Sequence, residues 1–371
     1  MTETSIIPVF FATDENYVPY LGVSLQSLIA HTAHNKQYEI YILHDSLSEH
    51  ARQQLREFKQ KNVNIFFLKV SDHLQQYQSR LKNNLAFWNQ PTYYRLALPL
   101  LTANYDKILY CDCDTVFLDD VARLYEQDIE DNYLLAVQDA DHPYYIPERI
   151  EQMKTELKLA DTSRYFNAGI LVMNVALMRQ NNLFDRFIEL RETIKYLPYH
   201  DQDILNSACR DKIKYLSRRY NYQWHLDFFY NDPEAAKAYR RNIEPAIVHF
   251  TSHIKPWNEP KREFADKFWY YARQTPFYEE ILFRSIAKQK LGIDYTEIAA
   301  ATNRKDCLSL LRRYKFIAFF GLGSTRKKYK QKVKNAQAAP AKHRSIMSPV
   351  NQKPASMTGF SCVWQKYMIA K

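Results

Sequence analysis

Ile6-Ile-Pro-Val-Phe-Phe-Ala12, closed by Thr13-Asp14-Glu15-Asn16, decides the fold. An apolar run rich in β-branched and aromatic residues, with a polar loop directly after it, predicts a strand buried on both faces. Leu21, Leu25, Leu28 and Ile29 then recur at helical spacing. Tyr38–His44 is a second apolar run, Ser48–Lys59 a helix with Ser48 at its N-cap, and Val63–Val70 a third strand. This strand–helix–strand–helix–strand order predicts an α/β domain with a mostly parallel central sheet and nucleotide-binding topology.

Farther out, Tyr93–Leu101 reads as a helix and Lys107–Cys111 as a buried strand with Asp112 at its carboxyl end. Tyr133–Val137 predicts a strand ending at Gln138-Asp139, and Tyr165–Asn174 another. His200–Ala208 predicts a helix opening on Asp201-Gln202-Asp203, and Ala246–Phe250 a short strand that carries His249.

Composition narrows the chemistry. The 371 residues are 46% hydrophobic and 25% charged, which suits a soluble globular body. Glycine is scarce, at six residues, and neither G-x-G-x-x-G nor G-x-x-x-x-G-K occurs. A bound nucleotide must therefore be held by something other than a glycine-rich loop. The net charge of +10 is misleading. Residues 304–371 hold 16 of the 51 Lys and Arg but one of the 41 Asp and Glu, leaving the body near −5 and the tail near +15. A nucleic-acid partner is not expected, since no recognition motif accompanies this charge. Five cysteines without a C-x-x-C pair suggest a reducing compartment. The first residues lack a basic leader, and no apolar stretch reaches the roughly 18 residues of a membrane span.

The tail has a pattern of its own. Leu308–Phe320 is apolar and basic, and Arg326–Lys334 carries six positive charges in nine residues. That predicts peripheral attachment to an anionic membrane surface through residues 304–334; a terminal helix packed on the body is the alternative. The expected organisation is a catalytic domain over 1–280, a helical basic-aromatic segment over 281–335, and a disordered tail over 336–371.

The chemistry centres on Asp112-Cys113-Asp114. Two carboxylates at the carboxyl end of a buried strand can share a divalent cation, where ligands of open α/β sheets bind. Asp112-Cys-Asp-Thr-Val116 also fits the motif of haloacid-dehalogenase-type phosphatases, with Asp112 as nucleophile and Asp114 as general acid. That motif normally opens its domain, whereas here a whole βαβαβ unit precedes it.

The order of motifs separates these readings. Phe11-Ala-Thr-Asp-Glu-Asn-Tyr17, Thr92-Tyr-Tyr-Arg95, Ile108-Leu-Tyr-Cys-Asp-Cys-Asp114, Tyr165-Phe-Asn-Ala-Gly-Ile170, Asp201-Gln-Asp-Ile-Leu-Asn206, and His249 with Lys255-Pro-Trp257 occur in sequence. From about residue 6 to 275 this series closely resembles glycosyltransferase family 8, which includes bacterial lipooligosaccharide and lipopolysaccharide galactosyl- and glucosyltransferases and, more distantly, glycogenin. The resemblance implies a Rossmann-like GT-A-type nucleotide-diphospho-sugar transferase fold, a UDP-hexose donor, Mn²⁺ (or Mg²⁺) and retention of anomeric configuration. It implies metal ligation by Asp112, Asp114 and His249. It implies that Ala12, Thr13, Asp14, Asn16 and Tyr17 line the uridine site, with Arg95 near the nucleotide and the Asp pair, Asp112 and Cys113 also in the nucleotide-sugar site, and Lys255 on the diphosphate. Asn167 and Ala168 would line the sugar pocket, Asp139 would face the sugar hydroxyls, and Asp201 and Gln202 would stand beside the reacting carbon.

Gln202 would then stabilise an oxocarbenium-like centre while the leaving phosphate accepts the acceptor's proton. A double displacement through Gln202 or Asp139 is the less favoured route. One departure is Thr251-Ser252-His253-Ile254, where many relatives have Gly-Pro, which shifts an expected phosphate contact to Ser252. The implied activity is hexose transfer, of galactose or glucose, from UDP to a cell-surface glycan or glycolipid at the cytoplasmic membrane face. A phosphatase and a non-catalytic sugar-nucleotide-binding protein are the alternatives.

Overall fold

A computed structural model describes residues 6–77, 90–140, 146–223, 243–251, 254–260 and 262–291. The chain divides into two compact units, Met1–Ile281 and Leu282–Lys371. Past residue 291, the expected membrane segment 304–334 and tail 336–371 lie outside the described residues, as do Ser252 and His253.

The first unit opens with β1 (Ile6–Ala12), α1 (Val18–Ile29), β2 (Gln37–His44), α2 (Glu49–Arg56) and β3 (Val63–Lys69). Ser48 caps α2 as expected, its hydroxyl accepting from the Ala51 amide at 3.1 Å. Next come α3 (Val70–Leu74), α4 (Tyr94–Leu101), β4 (Lys107–Cys111), β5 (Thr115–Phe117), α5 (Ala122–Tyr125), β6 (Leu134–Gln138) and α6 (Pro147–Thr155). The remaining elements are β7 (Phe166–Asn174), α7 (Val175–Gln180), α8 (Leu183–Thr193), α9 (His200–Cys209), β8 (Ile213–Tyr215), β9 (Tyr222–Gln223), β10 (Ile247–His249), α10 (Ala265–Ala272) and α11 (Tyr278–Leu291).

The main sheet has the order β3-β2-β1-β4-β7-β6-β8. It is mostly parallel, as predicted, but β7 runs antiparallel to both β4 and β6. That reversal matters for the site. It brings the start of β7 against the end of β4, pairing Ile170 with Cys111, so Gly169 lies beside Asp112. The Asp112 amide donates to the Gly169 carbonyl at 2.8 Å.

A three-stranded sheet, β5-β10-β9, stands next to the first. β5 and β10 pair antiparallel with Thr115 opposite His249, and β9 pairs parallel to β10. Asp112, Cys113 and Asp114 thus form the turn from the large sheet into the small one. Cys113 lies past the strand end rather than on the strand with Cys111, and its thiol reaches the Ala12 carbonyl at 3.1 Å. Two apolar clusters fill the two sides of the main sheet, one including α1 and the small sheet, the other α4, α7, α8 and α9. Among the described residues no helix is long and apolar enough to cross a membrane.

Candidate metal and nucleotide-sugar site

Strand ends gather the expected ligands. Asp112, Asp114 and His249 each offer one ligand atom, all within 4.8 Å of one another. His249 Nε2 stands 3.3 Å from Asp114 Oδ1 and 3.8 Å from Asp112 Oδ2. The ring's other nitrogen, Nδ1, is 3.0 Å from Asn221 Oδ1. Because Asn221 gives its amide N–H to Asn167 Oδ1 at 2.9 Å, its oxygen faces the imidazole. Nδ1 therefore donates to Asn221, and Nε2 faces the two carboxylates, the ring orientation that a metal-binding histidine needs.

Gly169 makes room for the triad. A Cβ there would lie 2.1 Å from His249 Cε1 and 2.8 Å from Asp112 Oδ2, far inside contact. Two carboxylate oxygens, one oriented imidazole and a missing Cβ fit a hard or borderline divalent cation such as Mn²⁺ or Mg²⁺.

Arg95 is no surface residue. It is 5% exposed, and it ion-pairs with Asp112 through Nη2 at 2.7 Å and with Asp201 through Nε at 2.9 Å. It also donates to the Ala168 carbonyl at 2.5 Å and lies over the Tyr110 ring. Burial works to lower its pKa, but Asp112 and Asp201 outweigh that and raise it above the ordinary arginine value. Tyr110 donates its hydroxyl to Asp112 Oδ1 at 2.9 Å, so the metal-facing carboxylate is oriented from behind. Asp201 is held by Thr92 at 2.7 Å, and burial pushes its carboxyl above the ordinary range despite Arg95. Tyr199 is the N-cap of α9, and Asp201 sits inside the first turn.

Lys255 lies against the candidate metal ligands. Its ammonium meets Asp114 Oδ2 at 2.5 Å and the Phe250 carbonyl at 2.6 Å. Burial would raise the Asp114 pKa, but Lys255 and then His249 overrule it and hold the carboxyl well below the usual range. Lys255 thus neutralises the pair that a cation would otherwise neutralise.

A line of side-chain amides joins this end to the expected sugar pocket. Asn167 Oδ1 accepts from the Gly169 amide at 3.0 Å, and Asn167 Nδ2 reaches Asp139 Oδ2 at 3.4 Å. Gln202 Nε2 donates to the same Asp139 oxygen at 3.1 Å, while Gln202 Oε1 accepts from the Ala168 amide at 2.9 Å. Asp139, Asn167, Ala168, Asp201 and Gln202 thus form one connected group beside the triad.

The β1 loop is built as a capped β–α turn. Asp14 Oδ1 and its carbonyl both accept from the Tyr17 amide. Thr13 is buried; Asp14, Glu15, Asn16 and Tyr17 are exposed beside it. Tyr17 packs edge-on against Trp257, which stacks on Tyr20 at 3.8 Å. The loops of Ala12–Tyr17 and Lys255–Trp257 therefore meet around one set of aromatic rings. Sequence reasoning did not find Asn221. An asparagine between two tyrosines gives no periodic or motif signal, and it matters only because the fold sets it behind His249.

A mostly parallel α/β sheet with an Asp-x-Asp–His triad at its strand ends defines a Rossmann-like transferase of the GT-A kind. The sequence model of Glycosyl transferase family 8 matches residues 8–261, and the chain belongs to that family. It is 28% identical to General stress protein A of Bacillus subtilis over 74% of this chain and 96% of that protein. It is 26% identical to a lipopolysaccharide 1,2-glucosyltransferase of Escherichia coli over 70% of this chain and 75% of that one. Among solved structures, the galactosyltransferase LgtC with donor and acceptor sugar analogues superposes with a TM-score of 0.59 at 26% identity, covering 73% of this chain and 96% of that one. The WbbM bifunctional glycosyltransferase superposes at 0.64 with 25% identity, covering 77% of this chain and 53% of that one. The chain is a glycosyltransferase, and the phosphatase reading of Asp112 falls.

Proposed function

We propose that this glycosyltransferase is metal-dependent and retaining, and that it moves galactose or glucose from UDP to a cell-surface glycan or glycolipid. The observation that carries the proposal is the Asp112–Asp114–His249 triad beside the glycine that clears space for it. The glucosyl- and galactosyltransferase relatives support the choice of hexose.

Asp112, Asp114 and His249 would hold Mn²⁺ or Mg²⁺. A cation there supplies charge neutralisation for the departing diphosphate. Lys255 adds a point charge toward the same phosphates, and Ser252 a contact from its loop. Ala12, Thr13, Asp14, Asn16 and Tyr17 take the uridine, with Cys113 fastening that loop to the acidic pair through Ala12. Arg95 holds the carboxylates of Asp112 and Asp201 beside the nucleotide.

Asn167, Ala168 and Asp139 receive the hexose. The carboxamide oxygen of Gln202 has one lone pair on the Ala168 amide and a second one free for a developing oxocarbenium-like carbon. The leaving phosphate accepts the acceptor hydroxyl's proton on the same face, which retains configuration. Residues 304–334 bring the enzyme to the inner face of the cytoplasmic membrane, within reach of a lipid-linked acceptor.

The test is UDP release from UDP-glucose, UDP-galactose and other UDP-sugars with Mn²⁺, in wild type and Asp114→Ala. Turnover of one donor that is lost in Asp114→Ala is the expected result. Release that survives the substitution sinks the metal assignment, and UDP binding with no turnover of any donor sinks the enzyme reading. Liposome co-sedimentation of the full chain and of a 1–303 truncation tests the tail. Equal binding to anionic vesicles removes the membrane assignment.

A further inference from the structure

A buried ion pair engages Asp203, the residue that follows Gln202 on α9. Arg149 on α6 is 8% exposed and Asp203 on α9 is fully buried. Arg149 Nη2 donates to Asp203 Oδ1, and Nη1 stands 3.5 Å from Oδ2. Asp203 has its remaining capacity filled: Tyr165 donates its hydroxyl to Oδ1 at 2.5 Å, and the Tyr199 amide donates to Oδ2 at 3.2 Å. The guanidinium lies over two rings, 5.2 Å from the Tyr165 centroid and 4.9 Å from that of Tyr199. Arg149 also reaches Gln152 at 2.5 Å, and Gln152 donates to the Tyr196 carbonyl at 2.5 Å.

None of these contacts involves Asp112, Asp114 or His249. A buried ion pair is a weak stabiliser, because desolvating both charges consumes most of what they gain by meeting. An apolar pair would fill the same space at similar stability. What an apolar pair could not do is fix the entrance to α9. That helix lacks a side-chain N-cap, and His200, its first residue, holds a left-handed φ of 49°. The Asp203 carboxylate accepts the N-cap amide instead, closing the first turn from inside. Gln202 is the residue before it. One turn later Asn206 bonds the Phe166 amide and carbonyl, both at 2.9 Å, locking α9 to β7.

We infer that Arg149 and Asp203 are positioning residues for the transfer step: they hold the first turn of α9 so that the Gln202 carboxamide stays between the Ala168 amide and Asp139. Asp203 is not a nucleophile in this arrangement, since both its oxygens are engaged within the protein. The inference rests on the proposed place of Gln202 beside the reacting carbon.

The test is a double-mutant cycle of Arg149→Met and Gln202→Ala, with UDP release from the active UDP-hexose in Mn²⁺, calorimetric UDP affinity and thermal melting as readouts. Arg149→Met is expected to lower kcat about 10- to 100-fold, as misplacing a reacting group by an ångström does. The donor KM and UDP affinity should stay within about threefold of wild type. In the Gln202→Ala background, Arg149→Met should add little further loss, because its effect passes through Gln202. A folded Arg149→Met with unchanged kcat overturns the inference. So does full additivity in the cycle, or a kcat loss matched by an equal loss of UDP affinity. If Gln202→Ala itself is silent, the reading of Gln202 fails and the positioning role falls with it, a pattern distinct from those results. Should Arg149→Met fail to fold, Arg149→Lys carries the same cycle, keeping the charge but losing the two-pronged reach to Asp203.

Discussion

Gly169→Ala tests the metal site with a single methyl group. The new Cβ would sit 2.1 Å from His249 Cε1, 2.7 Å from Nδ1 and 2.8 Å from Asp112 Oδ2, so the imidazole must retreat by about 1.3 Å to regain 3.4 Å contact. It has little room to do so. His249 is 3% exposed and tied to Asn221, Asp112 is tied to Arg95 and Tyr110, and β7 is in register with β4. Metal–ligand distances tolerate changes of about 0.2 Å, so a shift several times larger removes His249 from the coordination sphere. Disturbing an outer-shell partner already costs roughly 10- to 100-fold in metal affinity, and loss of a ligand should cost at least that. Overpacking should lower stability by about 1–3 kcal/mol, leaving a folded protein to measure. Calorimetric titration with Mn²⁺ in the presence of UDP, alongside a melting curve, reads both effects. A folded Gly169→Ala that binds Mn²⁺ within about threefold of wild type would refute the triad as the metal site.

Lys255→Met should tighten Mn²⁺ binding in the absence of nucleotide, because the ammonium no longer competes for Asp114, while weakening UDP affinity; two changes of the same sign would contradict the pairing. Asn221→Ala leaves His249 Nδ1 without its acceptor and should weaken Mn²⁺ binding roughly 10- to 100-fold while costing about 1–3 kcal/mol of stability, read by the same titration and a melting curve. Gly22→Ala places a methyl 2.3 Å from the Phe277 ring, so urea unfolding should show about 1–3 kcal/mol of lost stability with Mn²⁺ affinity unchanged in the folded protein.

The strands of the first βαβαβ unit were legible because their apolar runs are long and bounded by polar turns, as at Ile6–Ala12. The α9 helix was legible from its polar opening, although its cap was not: Asp203 reaches back to Tyr199 from inside the helix, where N-cap preferences say nothing. β5, β8 and β9 were missed because two or three residues carry no period. The direction of β7 was also hidden, since a strand buried on both faces reads alike in either sense. The acidic pair and His249 came from motif order; Asn221, Arg149 and the Lys255–Asp114 contact needed the fold, because each depends on a partner more than 25 positions away in sequence.

The line from His249 through Asn221 and Asn167 to Asp139 and Gln202 is made mostly of carboxamides. Carboxamides neither take up nor release protons across the physiological range. Asn221 and Asn167 therefore tie the His249 ring to the Asp139 carboxylate by orientation and not by charge. An exchange of asparagine for aspartate anywhere along that line would keep its shape and turn a mechanical linkage into a titrating one.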